Sequence, residues 1–139
     1  MTVSASWLLA AEAASVATAG TFTPGRDLLL DDDGDLVLGA DFQMTTGLAA
    51  VAQDIRLRIR LFRGEWFRNV DHGVPWEQEI LGHKPTMERL YSIFRTVIFG
   101  SFEVQSIRSL TIELSSTRVL TVVWEVHSTF GIIADELEF

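Results

Sequence analysis

The sequence contains no cysteine and few basic residues. Without cysteine the chain has no disulfide, no thiolate nucleophile and no cysteine-ligated metal or cluster. It carries 11 Lys and Arg against 19 Asp and Glu, for a formal net charge of −8. Because affinity for duplexes depends mainly on Lys and Arg, this balance argues against nucleic acid as a partner. The apolar runs fall short of the ~20 residues that a membrane helix needs, so no membrane partner is expected either.

The apolar content is sufficient for one folded domain. The chain has 139 residues, of which 47% are hydrophobic, and this supports a single core. We predict an alanine-rich arm over residues 1–25 and the domain itself over residues 26–139. Residues 7–19 read WLLAAEAASVATA. No Lys or Arg precedes them and Glu12 interrupts them, which favours an arm or short helix that docks on a neighbouring surface over a secretory signal.

An acidic turn opens the domain. Residues 31–34 read Asp-Asp-Asp-Gly and separate two short apolar runs, 27–30 and 35–38. An Asp-Gly pair in this setting predicts a hairpin, because the turn needs positive φ at its centre. A calcium loop of the EF type requires alternate ligands and a Glu at its twelfth position, where this chain has Phe42. The cluster therefore predicts a solvated turn.

A first helix is predicted over residues 47–62, where apolar residues recur at spacings of three and four. Thr45 or Thr46 is the expected cap, and Gly64 the expected stop. Residues 55–61 also alternate with period two, but the upstream stripe favours a helix. Leu57 and Leu61 fall outside the main stripe, so this helix is expected either to lie between two layers or to leave a face for a partner.

The rest of the chain adds a loop, a helix and strands. Residues 65–69 read as a short extended segment, followed by a turn. A second helix is predicted from Lys84-Pro85-Thr86 to Gly100. Two strands, 104–114 and 118–127, form a long hairpin, and the acidic residues 130–139 form either an edge strand or a segment that docks on a partner. Because helices and strands are segregated, the fold class is α+β, a small antiparallel sheet packed on two main helices.

Catalytic motifs are scarce. His72, His83 and His127 show no spacing typical of a helical zinc site, so no metal is predicted, and ordinary solvated histidines explain His72 and His127. Gly-x-Ser-x-Gly and the glycine-rich phosphate loops are absent, and no cofactor is predicted. One enzymatic alternative stays open. A small peptidoglycan hydrolase needs two carboxylates across a cleft, which Glu65 with Glu77 or Glu79 could supply.

Basic residues concentrate on the first predicted helix. They are Arg56, Arg58, Arg60 and Arg63. Nucleic-acid binding has no supporting motif here, and a solvated helix face is the simplest alternative. Contact with an acidic surface, such as the acidic C-terminal segment of a neighbouring copy, fits the charge balance better.

Four runs occur in a fixed order: Gly-Leu-Ala-Ala-Val-Ala-Gln-Asp-Ile at 47–55, Leu-Phe-Arg-Gly-Glu-Trp-Phe at 61–67, Gly-Val-Pro-Trp at 73–76 and Ile-Leu-Gly at 80–82. This sequence resembles the baseplate wedge family of phage tails, whose members are sometimes mislabelled tail lysozymes. It is most similar to the Mu-type branch, and the family is related to a baseplate subunit of type VI secretion machines. The resemblance spans about residues 27–126. A free-standing interaction domain of a secretion system is a closely related alternative.

The resemblance implies a structural protein of the virion tail, assembled in the host cytoplasm, and not an enzyme. Its implied partners are other wedge subunits, the tail hub and, in contractile tails, the first sheath layer, with six copies around the tail. Members that touch sheath often carry Glu-Pro-Arg before the long hairpin. This chain has Ser-Phe-Glu-Val-Gln-Ser-Ile at 101–107 instead, so sheath contact through that run is not predicted.

A set of contact residues follows from the resemblance and from residue type, since Trp and Arg commonly anchor interfaces. Trp76 is also expected to fill the core beneath its loop. The predicted protein-interface residues are Arg56, Arg60, Arg63, Glu65, Trp66, Phe67, Val74, Trp76 and Glu103.

Overall fold

The computed structural model describes residues 26–139, so the predicted arm at residues 1–25 lies outside the described residues. The predicted α+β class is confirmed. In chain order the elements are β1 (Arg26–Leu28), β2 (Met44–Thr46), α1 (Gly47–Arg60), a short π-helix (Trp76–Ile80), α2 (Met87–Phe99), β3 (Val104–Leu114), β4 (Leu120–Ser128) and β5 (Gly131–Glu138).

The main sheet is antiparallel and has the order β3-β4-β5. Strand β3 has the predicted bounds, β4 begins two residues later than predicted, and the C-terminal segment forms an edge strand, one of its two predicted roles. Alternate residues of β4, among them Val122, Trp124 and Val126, are buried, as expected of a strand that packs one face on a core. Two register shifts interrupt the pairing of β3, whereas β5 pairs with β4 without interruption.

Both helices pack on this sheet, α1 against β5 and α2 against β3. The predicted stripe of α1 is buried, with Val51, Ile55 and Ile59 fully inaccessible. Helix α2 contributes four buried residues to the same core: Leu90, Ile93, Phe94 and Ile98. The Thr86 hydroxyl caps α2 by accepting from the Arg89 N–H at 3.2 Å. The core therefore lies between two helices and one face of a three-stranded sheet.

The turn of the predicted acidic hairpin is confirmed, but the strand before the turn has a different partner from the one predicted. The Asp31 N–H donates to the Asp35 carbonyl at 2.9 Å, Gly34 has φ +90°, and Leu30 bridges Leu36. The carboxylate of Asp31 accepts from the Asp33 and Asp35 N–H groups at 3.0 and 2.9 Å, so its role is to close the turn. Before this turn, β1 pairs antiparallel with β2 rather than with the returning arm of the hairpin.

The end of α1 differs from the prediction. The helix stops at Arg60, and Leu61 is already extended with φ −69° and ψ 131°. The Arg63 N–H then donates to the Val74 carbonyl at 2.8 Å, and the Val74 N–H donates to the Leu61 carbonyl at 2.9 Å. This pairing with a distant segment replaces the last helical turn. Gly64, with φ +92°, therefore serves a turn in the following loop and not the helix terminus.

Candidate protein interface

Two residues of the predicted contact set belong to the core. Val74 is fully buried and bridges Phe62 in parallel. Trp76 is 4% exposed, and its indole N–H donates to the Ile59 carbonyl at 3.0 Å. The core role expected for Trp76 is thus confirmed, and the prediction that Val74 and Trp76 lie on a contact surface is corrected. Both are inaccessible because they tie the loop after α1 to the body of the domain.

The Trp76 ring is the centre of an aromatic cluster. Its centroid lies 5.8 Å from that of Phe94 on α2 and 4.7 Å from that of Phe139 beyond β5. Its own backbone opens the π-helix, an element that the sequence analysis missed. Aromatic pairs at such separations add to burial energy. The cluster joins the loop, the second helix and the C-terminal segment.

Residues 62–73, hereafter the aromatic loop, are cross-linked by backbone hydrogen bonds. The Gly64 N–H donates to the Val70 carbonyl at 2.9 Å and the Asn69 N–H to the Trp66 carbonyl at 3.0 Å. The prediction of an extended segment at 65–69 is therefore wrong, because consecutive turns occupy it. The Glu65 carboxylate supports the loop by accepting from the Phe62 N–H at 3.2 Å.

The aromatic loop presents large apolar side chains to solvent. Phe67 is 86% exposed, Trp66 41% and Val70 56%. The Trp66 ring rests edge-on against the His72 imidazole, with centroids 5.4 Å apart. His72 is half-buried, in contrast to the solvated histidine predicted. Burial, followed by the nearby Arg58 charge, lowers the pKa of His72 below 6.5, and the Asp54 charge opposes this shift.

The predicted basic stripe divides into engaged and exposed arginines. Arg56 makes a two-point ion pair with Asp135 on β5, in which Nη2 donates to Oδ1 at 2.6 Å. Arg58 pairs with Asp54 at 2.8 Å. The acidic C-terminal segment that Arg56 was expected to meet on a neighbouring copy thus lies in its own chain. Arg60 and Arg63 are exposed and make no ion pair within residues 26–139.

A groove of about 570 Å³ runs beside α1, and we call it the loop groove. Its lining includes the apolar side chains of Leu57, Leu61 and Trp66 and the polar side chains of Asp27, Arg60 and His72. Its size falls within the range of binding clefts. Leu57 on α1 and Leu61 immediately after it, the two residues outside the main apolar stripe, therefore both line this groove.

Glu103 is engaged within its own chain. Its carboxylate accepts from the Thr129 hydroxyl at 2.7 Å, and its carbonyl accepts from the Thr129 N–H at 3.1 Å. Its φ of +62° is unusual for a residue with a side chain. These contacts close the turn before β3 against the turn between β4 and β5.

The carboxylates of the hydrolase alternative lie in different settings. Glu79 binds Arg89 through both oxygens at 2.6 and 2.8 Å. This hydrogen bonding and the Arg89 charge lower the pKa of Glu79, which keeps it ionised and unsuited to donate a proton as a general acid. Glu65 and Glu77 line one shallow open depression together with Arg63. Within residues 26–139 no group of acidic residues and histidines has a geometry that could hold a metal ion.

In the part of the chain that the structure describes, no helix has both the length and the apolar character needed to cross a bilayer.

A solved structure described as a tail lysozyme of Geobacter sulfurreducens is similar to this chain with a TM-score of 0.54 and 16% identity. The match covers 64% of this chain and 86% of that one, and at this identity it shows the fold alone.

No curated protein matches the chain. The model of one family, described as the contractile injection system sheath initiator, matches residues 26–131 and so spans most of the sequence. It includes the aromatic loop, both helices, β3 and β4. The chain therefore belongs to the contractile injection system sheath initiator family.

Proposed function

We propose that this chain is a non-enzymatic structural subunit of the baseplate in a contractile phage tail. In this role it occupies the baseplate wedges in six copies, contacts wedge partners and the tail hub, and provides the surface on which the first sheath layer assembles. Family membership and the earlier resemblance to wedge subunits support this proposal. The virion tail is the corresponding location.

The observation that carries the proposal is the exposure of the aromatic loop. The braced loop holds Phe67 at 86% exposure beside Trp66 and Val70, an apolar surface that the other described residues, 26–139, leave uncovered. Several exposed apolar side chains on one short loop support a role in protein contact. Arg63, which is exposed at the start of the loop, adds a positive charge that an acidic group of a partner can pair with.

Sheath attachment is assigned to the edge of β5. Both β3 and β5 are edge strands of the main sheet, but the register shifts in β3 are features that discourage pairing. Strand β5 is regular over eight residues. We propose that an extended segment of a sheath subunit adds to β5 by main-chain hydrogen bonds. The missing Glu-Pro-Arg run does not affect this mode, since it depends on the backbone.

A proline substitution tests the strand edge. Leu120 and Phe139 exchange both backbone hydrogen bonds at 2.9 Å, so the N–H groups of alternate residues such as Ala134 point away from β4. Ala134→Pro should leave the β4–β5 ladder intact and block strand addition, whereas Ala134→Val keeps the N–H. In tail-assembling cells we expect sheathed tails with Ala134→Val and baseplates without sheath with Ala134→Pro, counted by electron microscopy. Equal numbers of sheathed tails for both variants would contradict the edge assignment.

Loop variants test incorporation into the baseplate. Phe67→Ser should reduce recovery of the chain in purified tails at least tenfold, while its isolated stability stays unchanged because the ring is exposed. Leu114→Ser is the matched control, since Leu114 is 59% exposed on β3 and distant from the loop in sequence. Equal recovery of both variants would argue against the loop as a contact.

The hydrolase alternative has its own test. If the protein clears peptidoglycan, and Glu65→Gln or Glu77→Gln abolishes this clearing, the hydrolase would replace the structural proposal.

A further inference from the structure

The main sheet has one face that the other described residues, 26–139, leave open. Along β4 the buried residues alternate with residues that point away from the core, and among these Val123 is 37% exposed. Ile132 on β5 is 50% exposed on the same side, where it pairs with His127 of β4. We call this surface the outer sheet face, and its residues include Thr111, Glu113, Val123, Ile132, Glu136 and Glu138.

The outer sheet face carries negative charge that is not balanced within the described chain. Glu113, Glu136 and Glu138 are exposed and make no ion pair among residues 26–139. The strand register places Glu113 and Glu138 on either side of Thr121, and Glu136 beside Val123. Glu136 and Glu138 are successive outward residues of β5, so their charges repel each other. A partner that supplies cations and an apolar side chain would relieve this repulsion and cover Val123.

The aromatic loop and the end of α1 present the complementary groups. Three arginines there are exposed and make no ion pair in the described part of the chain: Arg60, Arg63 and Arg68. The same segment holds two acidic residues, Glu65 and Asp71, and the Glu65 carboxylate is turned to the loop's own backbone at Phe62. In a chain with a net charge of −8, this segment is locally basic. Phe67, between Arg63 and Arg68, supplies the apolar side chain.

We propose that the aromatic loop of one copy docks on the outer sheet face of a second copy, with Phe67 against Val123 and with Arg63 and Arg68 beside Glu136 and Glu138. The two patches are different surfaces of the chain, so the contact is head-to-tail and repeats from copy to copy until a ring closes. This inference rests on the proposed function, in which the aromatic loop is a contact surface. It leaves the edge of β5 free for a sheath segment, because strand addition uses the main chain at the edge and not the outer face.

The absence of cysteine permits a direct test on the full chain. Two variants, Val70→Cys on the loop and Thr111→Cys on the outer sheet face, are mixed and treated with a short bismaleimide cross-linker. The matched control mixes Val70→Cys with Ser92→Cys, which places the second thiol on the exposed surface of α2. Isotopic labelling of one variant identifies the mixed product by mass. We expect the loop and face variants to cross-link at least fivefold faster than the control variants, and equal rates would overturn the proposal.

A charge exchange adds specificity. Glu136→Lys with Glu138→Lys in the face variant should lower the mixed cross-linking rate severalfold, and Arg63→Glu with Arg68→Glu in the loop variant should then restore it. A general electrostatic effect predicts the opposite first result, because the lysine substitutions reduce the net negative charge of the chain. Circular dichroism verifies that each variant is folded. A rate that the lysine substitutions leave unchanged or raise, or that the exchange fails to restore, would overturn the proposal.

The outcome is separable from that of the proposed function. If Phe67→Ser is lost from purified tails while the loop and control pairs cross-link equally, the loop contacts a different subunit, and only the second copy as its partner is overturned. If Phe67→Ser enters tails as well as Leu114→Ser does while the loop pair cross-links fast, the contact between copies stands and the role of the loop in incorporation is overturned.

Discussion

Arg56 on the first helix holds both carboxylate oxygens of Asp135 on the last strand. The two residues lie 79 positions apart in sequence, and their side chains are only 11% and 10% exposed. The pair holds α1 against β5. Other residues of α1, among them Leu57, line the loop groove. Charged groups this buried are tolerated because each satisfies the other.

Removal of one member of this pair should be costly. Asp135→Ala leaves the Arg56 charge largely buried without its carboxylate, and we expect the free energy of unfolding to fall by about 3 kcal/mol. Urea denaturation measures it. The control is Glu125→Ala, which breaks the exposed Arg108–Glu125 pair and should cost less than about 1 kcal/mol. Equal losses for both variants would show that Asp135 contributes no more than a surface charge.

Two glycines of the aromatic loop should respond differently to alanine. Gly73 and Gly64 both have positive φ, +95° and +92°, but a Cβ at Gly73 would lie 2.9 Å from the carbonyl carbon of Leu61, while Gly64 has open space. We expect Gly73→Ala to destabilise by about 4 kcal/mol or more, because strain and overlap combine. Gly64→Ala should cost about 1–2 kcal/mol from its backbone conformation alone. Thermal unfolding of both variants measures the difference, and similar melting temperatures would contradict it.

Gln53 holds the acidic hairpin to α1. Its amide NH₂ donates to the Leu28 carbonyl at 2.7 Å, and its carbonyl oxygen accepts from the Leu30 N–H at 3.1 Å. Gln53→Ala leaves these backbone groups without partners and should cost about 2–3 kcal/mol. Hydrogen exchange at the Leu30 amide should accelerate more than exchange in the main sheet. Gln78→Ala, which removes one exposed hydrogen bond to Arg63, should leave exchange at Leu30 unchanged.

Stability should fall in mildly acidic solution because of His72. Its pKa is lowered in the folded state, chiefly by burial, so the unfolded chain binds a proton more readily. The contribution of neutral His72 to the free energy of unfolding is therefore complete above pH 6.5. It is lost as the pH falls from 6.5 through the pKa of His72 in the folded state. His72→Gln should weaken this loss, measured as the difference in melting temperature between pH 7.5 and pH 5. In Trp66→Ala, which uncovers the imidazole, an NMR titration should place the pKa closer to 6.5. An unchanged pH dependence in His72→Gln would contradict the assignment.

Much of the fold could be predicted because local patterns agree with it. The period of apolar residues located both helices, and β-branched runs located β3 and β4 within two residues. The end of α1 and the turns at 65–69 were wrong because pairing with Val74, a tertiary contact, decides the backbone there. No local sequence pattern predicts the π-helix.

The candidate site was predicted in part for the same reason. Residue type predicts Trp66 and Phe67 as contacts, and both are exposed as a contact requires, but residue type cannot separate them from the buried Trp76. The engagement of Arg56 depends on Asp135, whose position next to α1 follows only from sheet order. Gln53 was missed although a polar residue inside an apolar helical stripe was a usable signal.

The hydrogen bonds across the backbone of the aromatic loop reduce the conformational entropy that the loop would lose in the proposed contact. A free loop of twelve residues would lose conformational entropy when it bound, but this one is already held at its base by Phe62 and Val74 and across its middle by Gly64 and Val70. In the contact proposed above, this loop would therefore need little further ordering, and little of the contact energy would be offset on its side. If the proposed baseplate ring forms through this loop, a preformed contact at each position would favour rings that close uniformly over rings that stop at partial assembly.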